Sequence, residues 1–193
     1  MKKWSFGFRV WHWLNALVVM GLVGTVLLRK SFLSWRANSE ILMQKLSGID
    51  IDVTAAQAKM LAKAIRAPMW EWHIILGYAL AALVLWRILL FFTPSGRQNY
   101  RHLKEESIHK KMVKLGYLVV YTTLFFMAVS GLAIHFYEVL RMTKDTAHTI
   151  KEIHELIYHI LLYFIPLHII GVFVAENQDE KGILSDMVNG GKQ

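Results

Sequence analysis

The sequence predicts an all-α integral membrane protein: a four-helix up-down bundle with a long helical connection between its first two spans. Three observations carry that reading. Of 193 residues, 55% are apolar and only 19% are charged, against about 25% charged in an ordinary soluble domain. The mean hydropathy is +0.36. Four stretches with almost no charge are each long enough to cross the bilayer core, which takes roughly 20 helical residues for about 30 Å of hydrocarbon. Hydrocarbon cannot satisfy open backbone groups, and no alternating barrel pattern is present, so the spans are helices.

The first span covers about 8–28 and has no charge after Arg9. Lys2 and Lys3 before an apolar run resemble a signal peptide. The run is too long for one, however, and ends in Leu27-Leu28-Arg29-Lys30 without a small-residue cleavage site, so it reads as a permanent helix. The connection 31–68 follows on the outer side. Within it, 54–66 is rich in Ala, Lys, Leu and Met, with Thr54 placed to cap it. Met60, Ala64 and Ile65 fall on one side and the basic residues largely on another, as in a helix on a membrane surface or a partner, or in an ordinary cover over the bundle. Pro68 is expected to end it. The second span, 70–92, is broken only by Arg87. The third, 115–136, has no ionisable residue before His135, and the fourth covers 153–175. No repeat interrupts the chain, so 1–193 reads as a single membrane domain.

The net charge of +8 is read as topology and contact with anionic lipid. No basic run is interleaved with a nucleic-acid motif, so nucleic acid is not an expected partner. Basic residues divide almost evenly between the two sides, eleven against ten. Seven of the ten lie in the long connection, whereas the compact basic loop from Arg97 to Lys114 is the stronger topogenic element. Both termini are therefore expected in the cytoplasm. Cysteine is absent, which excludes disulfides, thiolate zinc sites, iron–sulfur clusters and covalently attached c-type haem.

Nine histidines remain as metal ligands, and ionisable residues at membrane depth mark function. His154 and His168 are fourteen residues apart, so they lie about 40° short of four full turns and roughly 21 Å apart along the helix. They share a face, one near each leaflet. In an up-down bundle His73 levels with His154 on the outer side, and His12 levels with His168 on the inner side. Two facing imidazole pairs inside a bundle match bis-histidine ligation of two b haems, the outer on His73/His154 and the inner on His12/His168. Zinc would need further ligands that are missing at these depths. His154-Glu155-Leu156-Ile157-Tyr158-His159 is one residue too long for H-E-x-x-H, which turns His159 about 140° away. His102, His109 and His148 lie in polar loops, and His135 is the rival ligand for the outer pair. Gly77, one turn after His73, leaves room for a flat macrocycle. Arg87, fourteen residues after His73, returns to that face and is placed to pair with a propionate of the inner haem. Glu155, beside His154, is a weak candidate for proton uptake. The seven tryptophans mostly flank span ends as interfacial anchors.

These residues resemble the prokaryotic cytochrome b561 family, which includes the cytochrome b subunits of nickel–iron hydrogenases. The likeness rests on Arg9-Val10-Trp11-His12-Trp13, on His73 with Gly77 and Arg87, on Leu115-Gly116-Tyr117 with Ser130-Gly131-Leu132, and on Ile153-His154-Glu155 with Pro166-Leu167-His168. The tail from Lys181 to Gly191 is similar to that of hydrogenase-type members, whereas the connection 31–68 looks longer than in small stand-alone members. The resemblance implies a dihaem cytochrome of the bacterial inner membrane, with haem ligands at His12, His73, His154 and His168. It implies electron transfer between a quinone and a periplasmic redox protein such as a hydrogenase or c-type cytochrome. Two other readings stand beside it: a stand-alone superoxide:quinone oxidoreductase, and a haem-free membrane assembly protein.

Overall fold

The computed structural model describes residues 4–93, 108–178 and 181–190, with side chains from 114 onward in the second stretch. Six helices form among them: α1 Phe6–Lys30, α2 Trp35–Ser47, α3 Ala55–Phe91, α4 Ile108–His135, α5 Lys144–Asn177 and α6 Ile183–Asn189. No strand occurs among the described residues. Four helices, α1, α3, α4 and α5, are long and apolar enough to cross a membrane. The expected class, an all-helical chain with four membrane-crossing helices, is the one found. The basic loop at 97–107 and His102 lie outside the described residues, as does the side chain of His109.

One expectation is corrected. Pro68 does not end the helix of the connection; α3 runs unbroken through it for 37 residues. Proline removes one backbone hydrogen bond, the one to the carbonyl four residues back, and a long helix keeps its remaining bonds on both sides. The N-terminus of α3 is fixed by a reciprocal cap. The Thr54 backbone N–H donates to Gln57 Oε1 at 2.8 Å, and the Gln57 N–H donates back to Thr54 Oγ1 at 3.3 Å. At 1.5 Å per residue α3 is about 55 Å long, nearly twice the hydrocarbon thickness. Its first turns therefore continue the second span beyond the bilayer core and are not a separate surface helix.

The chain forms two compact units, residues 1–16 with 78–193, and Leu17–Gly77. In the first, Trp11 is buried and its indole N–H donates to the Leu83 carbonyl at 2.8 Å, tying α1 to α3. Leu80, Leu83, Leu124, Ala128, Tyr158 and Leu161 complete the core. Helices α4 and α5 pack along one another. The chain after α5 turns back into α6, whose start is held by Glu176: its carboxylate accepts from the N–H groups of Gly182 and Leu184 at 2.9 and 3.0 Å. In the second unit, Ala58 and Ala62 of α3 are fully buried and Ser39 of α2 nearly so, and small side chains of this kind let neighbouring segments approach closely. Gly21 serves the same end: a Cβ there would stand 2.9 Å from Leu76 Cδ1. Outward-facing leucines such as Leu17, 70% exposed, and Leu156, 69% exposed, present the apolar surface that lipid covers.

Candidate functional site

His12 on α1 and His168 on α5 come together in the first unit. Their ring centroids are 6.2 Å apart and their planes are inclined by 56°. A metal binds imidazole nitrogen at about 2.0 Å, and the ring centroid lies about 1.1 Å behind that nitrogen, so two imidazoles holding one metal from opposite sides have centroids about 6.2 Å apart. The observed spacing fits one metal between them and is too long for a direct nitrogen-to-nitrogen hydrogen bond along that axis. Phe164, one turn before His168, stacks on its ring at 5.3 Å and 15°, while Trp13 meets His12 edge-on. The chain flanking His12 is clamped by the tail. Arg9 Nη1 donates to the Val188 carbonyl at 3.0 Å, and the Trp13 indole donates to the Met187 carbonyl at 3.3 Å.

Several polar atoms around this end are buried among protein atoms without a partner: His12 Nδ1, Arg9 Nε, Asn15 Oδ1, Trp4 Nε1 and Arg87 Nε. Arg9, His12 and Asn15 follow one another at three-residue steps, within an arc of about 120° on α1. Buried polar groups without partners are costly and call for an occupant. Arg87 has no acid beside it among the described residues. Its guanidinium instead lies over the rings of Phe8, Trp11 and Tyr121, at 5.4, 5.5 and 4.8 Å from their centroids. Aromatic faces stabilise a cation without neutralising it, so its positive charge is kept. The Tyr121 hydroxyl is 3.5 Å from Nη2, at the long limit of a hydrogen bond.

His154 and His73 lie in different units, and each has its own setting. On α5, His154 Nδ1 is 2.8 Å from Ser130 Oγ of α4, and a Cβ at Gly131 would meet His154 Cε1 at 3.5 Å. On α3, His73 Nδ1 is 2.7 Å from Thr25 Oγ1 of α1. The Trp70 ring stacks on His73 at 4.9 Å and 4°, and the Arg29 guanidinium lies over the Trp70 ring, 5.2 Å from its centroid. Gly77 has open space where a Cβ would stand, with no atom within 4 Å.

The remaining histidines are engaged elsewhere. His135 packs edge-on against Tyr78 and Phe136. His148 is exposed beside Glu152 at 3.6 Å. His159 meets the Leu156 carbonyl of its own helix at 3.0 Å, away from the His154 face. Glu155 pairs with Lys151 at 3.2 Å on an exposed surface, which fits a solvated carboxylate better than a proton path. Among the described residues no three His, Asp or Glu side chains converge as a protein-built metal cluster requires. Two contributors escaped sequence reasoning, Thr25 and Trp70, and Ser130 entered it only as part of the family likeness, with no role assigned. Trp70 had a signal, since it precedes His73 by three residues and so shares its face.

A pair of imidazoles at this spacing could hold a planar metal complex between them, and such a complex would supply electron-transfer chemistry. The family model for prokaryotic cytochrome b561 matches residues 3–190. No curated protein and no solved structure matches the chain. The chain belongs to the prokaryotic cytochrome b561 family and is a multi-pass membrane b-type cytochrome of electron transfer.

Proposed function

We propose that the protein is a dihaem cytochrome that exchanges electrons between the quinone pool and a periplasmic redox protein, such as a hydrogenase or c-type cytochrome. It works in the bacterial inner membrane with both termini on the cytoplasmic side. The observation that carries this reading is the facing of His12 and His168 at the spacing that bis-imidazole ligation requires. These two would hold the inner haem. His73 and His154 would hold the outer one, a pairing supported by their matched depths in the sequence. Haem, when bound, supplies reversible one-electron chemistry at iron.

The chain's own residues do the rest. Two imidazoles per centre leave no coordination position for oxygen. Arg87, charged and held by three aromatic rings, offers a donor to an anionic group such as a propionate, and unpartnered Arg9 Nε and Trp4 Nε1 add donors at the same end of the chain. Gly77 leaves the surface of α3 clear for a planar ligand. The basic residues between Arg97 and Lys114 favour a cytoplasmic placement of that side. The quinone and the periplasmic partner rest on the family resemblance, and the long helical connection is the outer surface such a partner would meet.

The test is a haem-to-protein ratio with a potentiometric series on the purified chain. The expected result is two b haems per chain with two separable potentials. One haem per chain would remove the outer site, and a colourless folded protein would remove the whole reading.

A further inference from the structure

His154 and His73 share a device that nothing in their ligand role requires in advance. Ser130 Oγ lies 2.6 Å from the Phe126 carbonyl, four residues back on its own helix, and 2.8 Å from His154 Nδ1. Thr25 Oγ1 lies 2.7 Å from the Leu22 carbonyl, three residues back, and 2.7 Å from His73 Nδ1. Each hydroxyl has one proton, and a carbonyl oxygen can only accept. The hydroxyl proton therefore goes to the carbonyl, and the hydroxyl oxygen accepts from the imidazole Nδ1–H. Both hydroxyls are buried, Ser130 at 4% exposure and Thr25 at 8%, so water does not compete.

The order of donation has a chemical consequence. With the proton on Nδ1, the ring lone pair of each imidazole sits on Nε2, the form in which that nitrogen can ligate a metal. Each helix backbone aims its hydroxyl, because a serine or threonine within a helix readily bonds back one turn. The hydroxyl then aims the ring. Donation from Nδ1–H also pushes electron density toward Nε2, which makes the imidazole a stronger donor and favours oxidised over reduced iron. His12 differs: its Nδ1 is buried without a partner.

We propose that Ser130 and Thr25 are positioning residues that fix the rings of His154 and His73 in the tautomer whose Nε2 carries the lone pair and hold down the potential of the haem these two ligate. This rests on the proposed ligand role of His73 and His154. The test uses the full-length protein with Ser130→Ala and Thr25→Val, the latter close in shape to threonine, and with the hydroxyl-retaining Ser130→Thr and Thr25→Ser. Haem content, both midpoint potentials and the low-spin ferric electron paramagnetic resonance signals are read.

Ser130→Ala and Thr25→Val should each shift the same one of the two centres toward reduction, by a factor of about ten in its reduction equilibrium, or about 59 mV for one electron. They should also alter that centre's resonance signal and weaken its haem retention by about 10- to 100-fold. The other centre should not move, and the hydroxyl-retaining variants should restore the wild-type values. If His154→Ala and His73→Ala each lose one haem while the hydroxyl-free variants leave potentials and signals unchanged, the positioning role is overturned. A shift of different centres by the two variants also overturns it. Retention of both haems by the histidine variants would instead defeat the ligand reading itself.

Discussion

Replacing Gly77 separates what the fold needs from what the proposed cofactor needs. A Cβ at Gly77 meets nothing within 4 Å, whereas a Cβ at Gly21 stands 2.9 Å from Leu76 Cδ1. Alanine at 77 therefore removes glycine's entropic penalty without a clash and should stabilise the haem-free chain by about 0.5–1 kcal/mol. Leucine at 77 should also fold, because the space is open, but it places a bulky branch where a planar ligand is proposed to lie beside His73. Overpacking of that kind costs about 1–3 kcal/mol, which weakens binding about 5- to 150-fold. The assay is haem content per chain after equilibration with limiting haem, alongside thermal unfolding of the haem-free form. Gly77→Leu should lose haem at one centre while its haem-free stability stays near wild type, and Gly21→Ala, whose Cβ would displace only the tip of the Leu76 side chain, should keep both haems. Full haem occupancy in Gly77→Leu, with unchanged spectra, would refute the assignment of that space to a cofactor.

Arg87→Leu removes a cation held by three aromatic rings and no acid, so one haem potential should fall while haem content changes little; potentiometry checks this. Arg87→Lys should not restore it fully, since a lysine cannot keep the planar stacking of a guanidinium on those rings. Thr54→Ala breaks the reciprocal cap with Gln57 and should cost about 1 kcal/mol of stability, leaving both haem spectra unchanged; a spectral change would tie the outer end of α3 to the haem sites.

Much of this architecture was legible in the residues. Lipid admits only long apolar helices, so 8–28, 70–92, 115–136 and 153–175 announced the four spans. Helical periodicity predicts a shared depth for His12 and His168, and their ring centroids lie 6.2 Å apart. The rest needed coordinates for physical reasons. Pro68 signals a helix end by a local rule, yet losing one hydrogen bond within a 37-residue helix does not stop it. Periodicity states which face a residue occupies but not which face of another helix meets it. Thr25 is thus an ordinary helix residue in the sequence and Ser130 only part of a family likeness; the placement of their hydroxyls between a carbonyl and an imidazole is tertiary information. The clamp of Arg9 and Trp13 by the tail joins residues nearly 180 positions apart, and no local pattern encodes it.

The central claim is that His12 and His168 grip one iron between them. Difference spectra and potentials of His12→Ala, His168→Ala and the double variant test it most directly. The account predicts that all three lose the same single centre and keep the other at its wild-type potential. Loss of different centres in the two single variants, or of none, would contradict it.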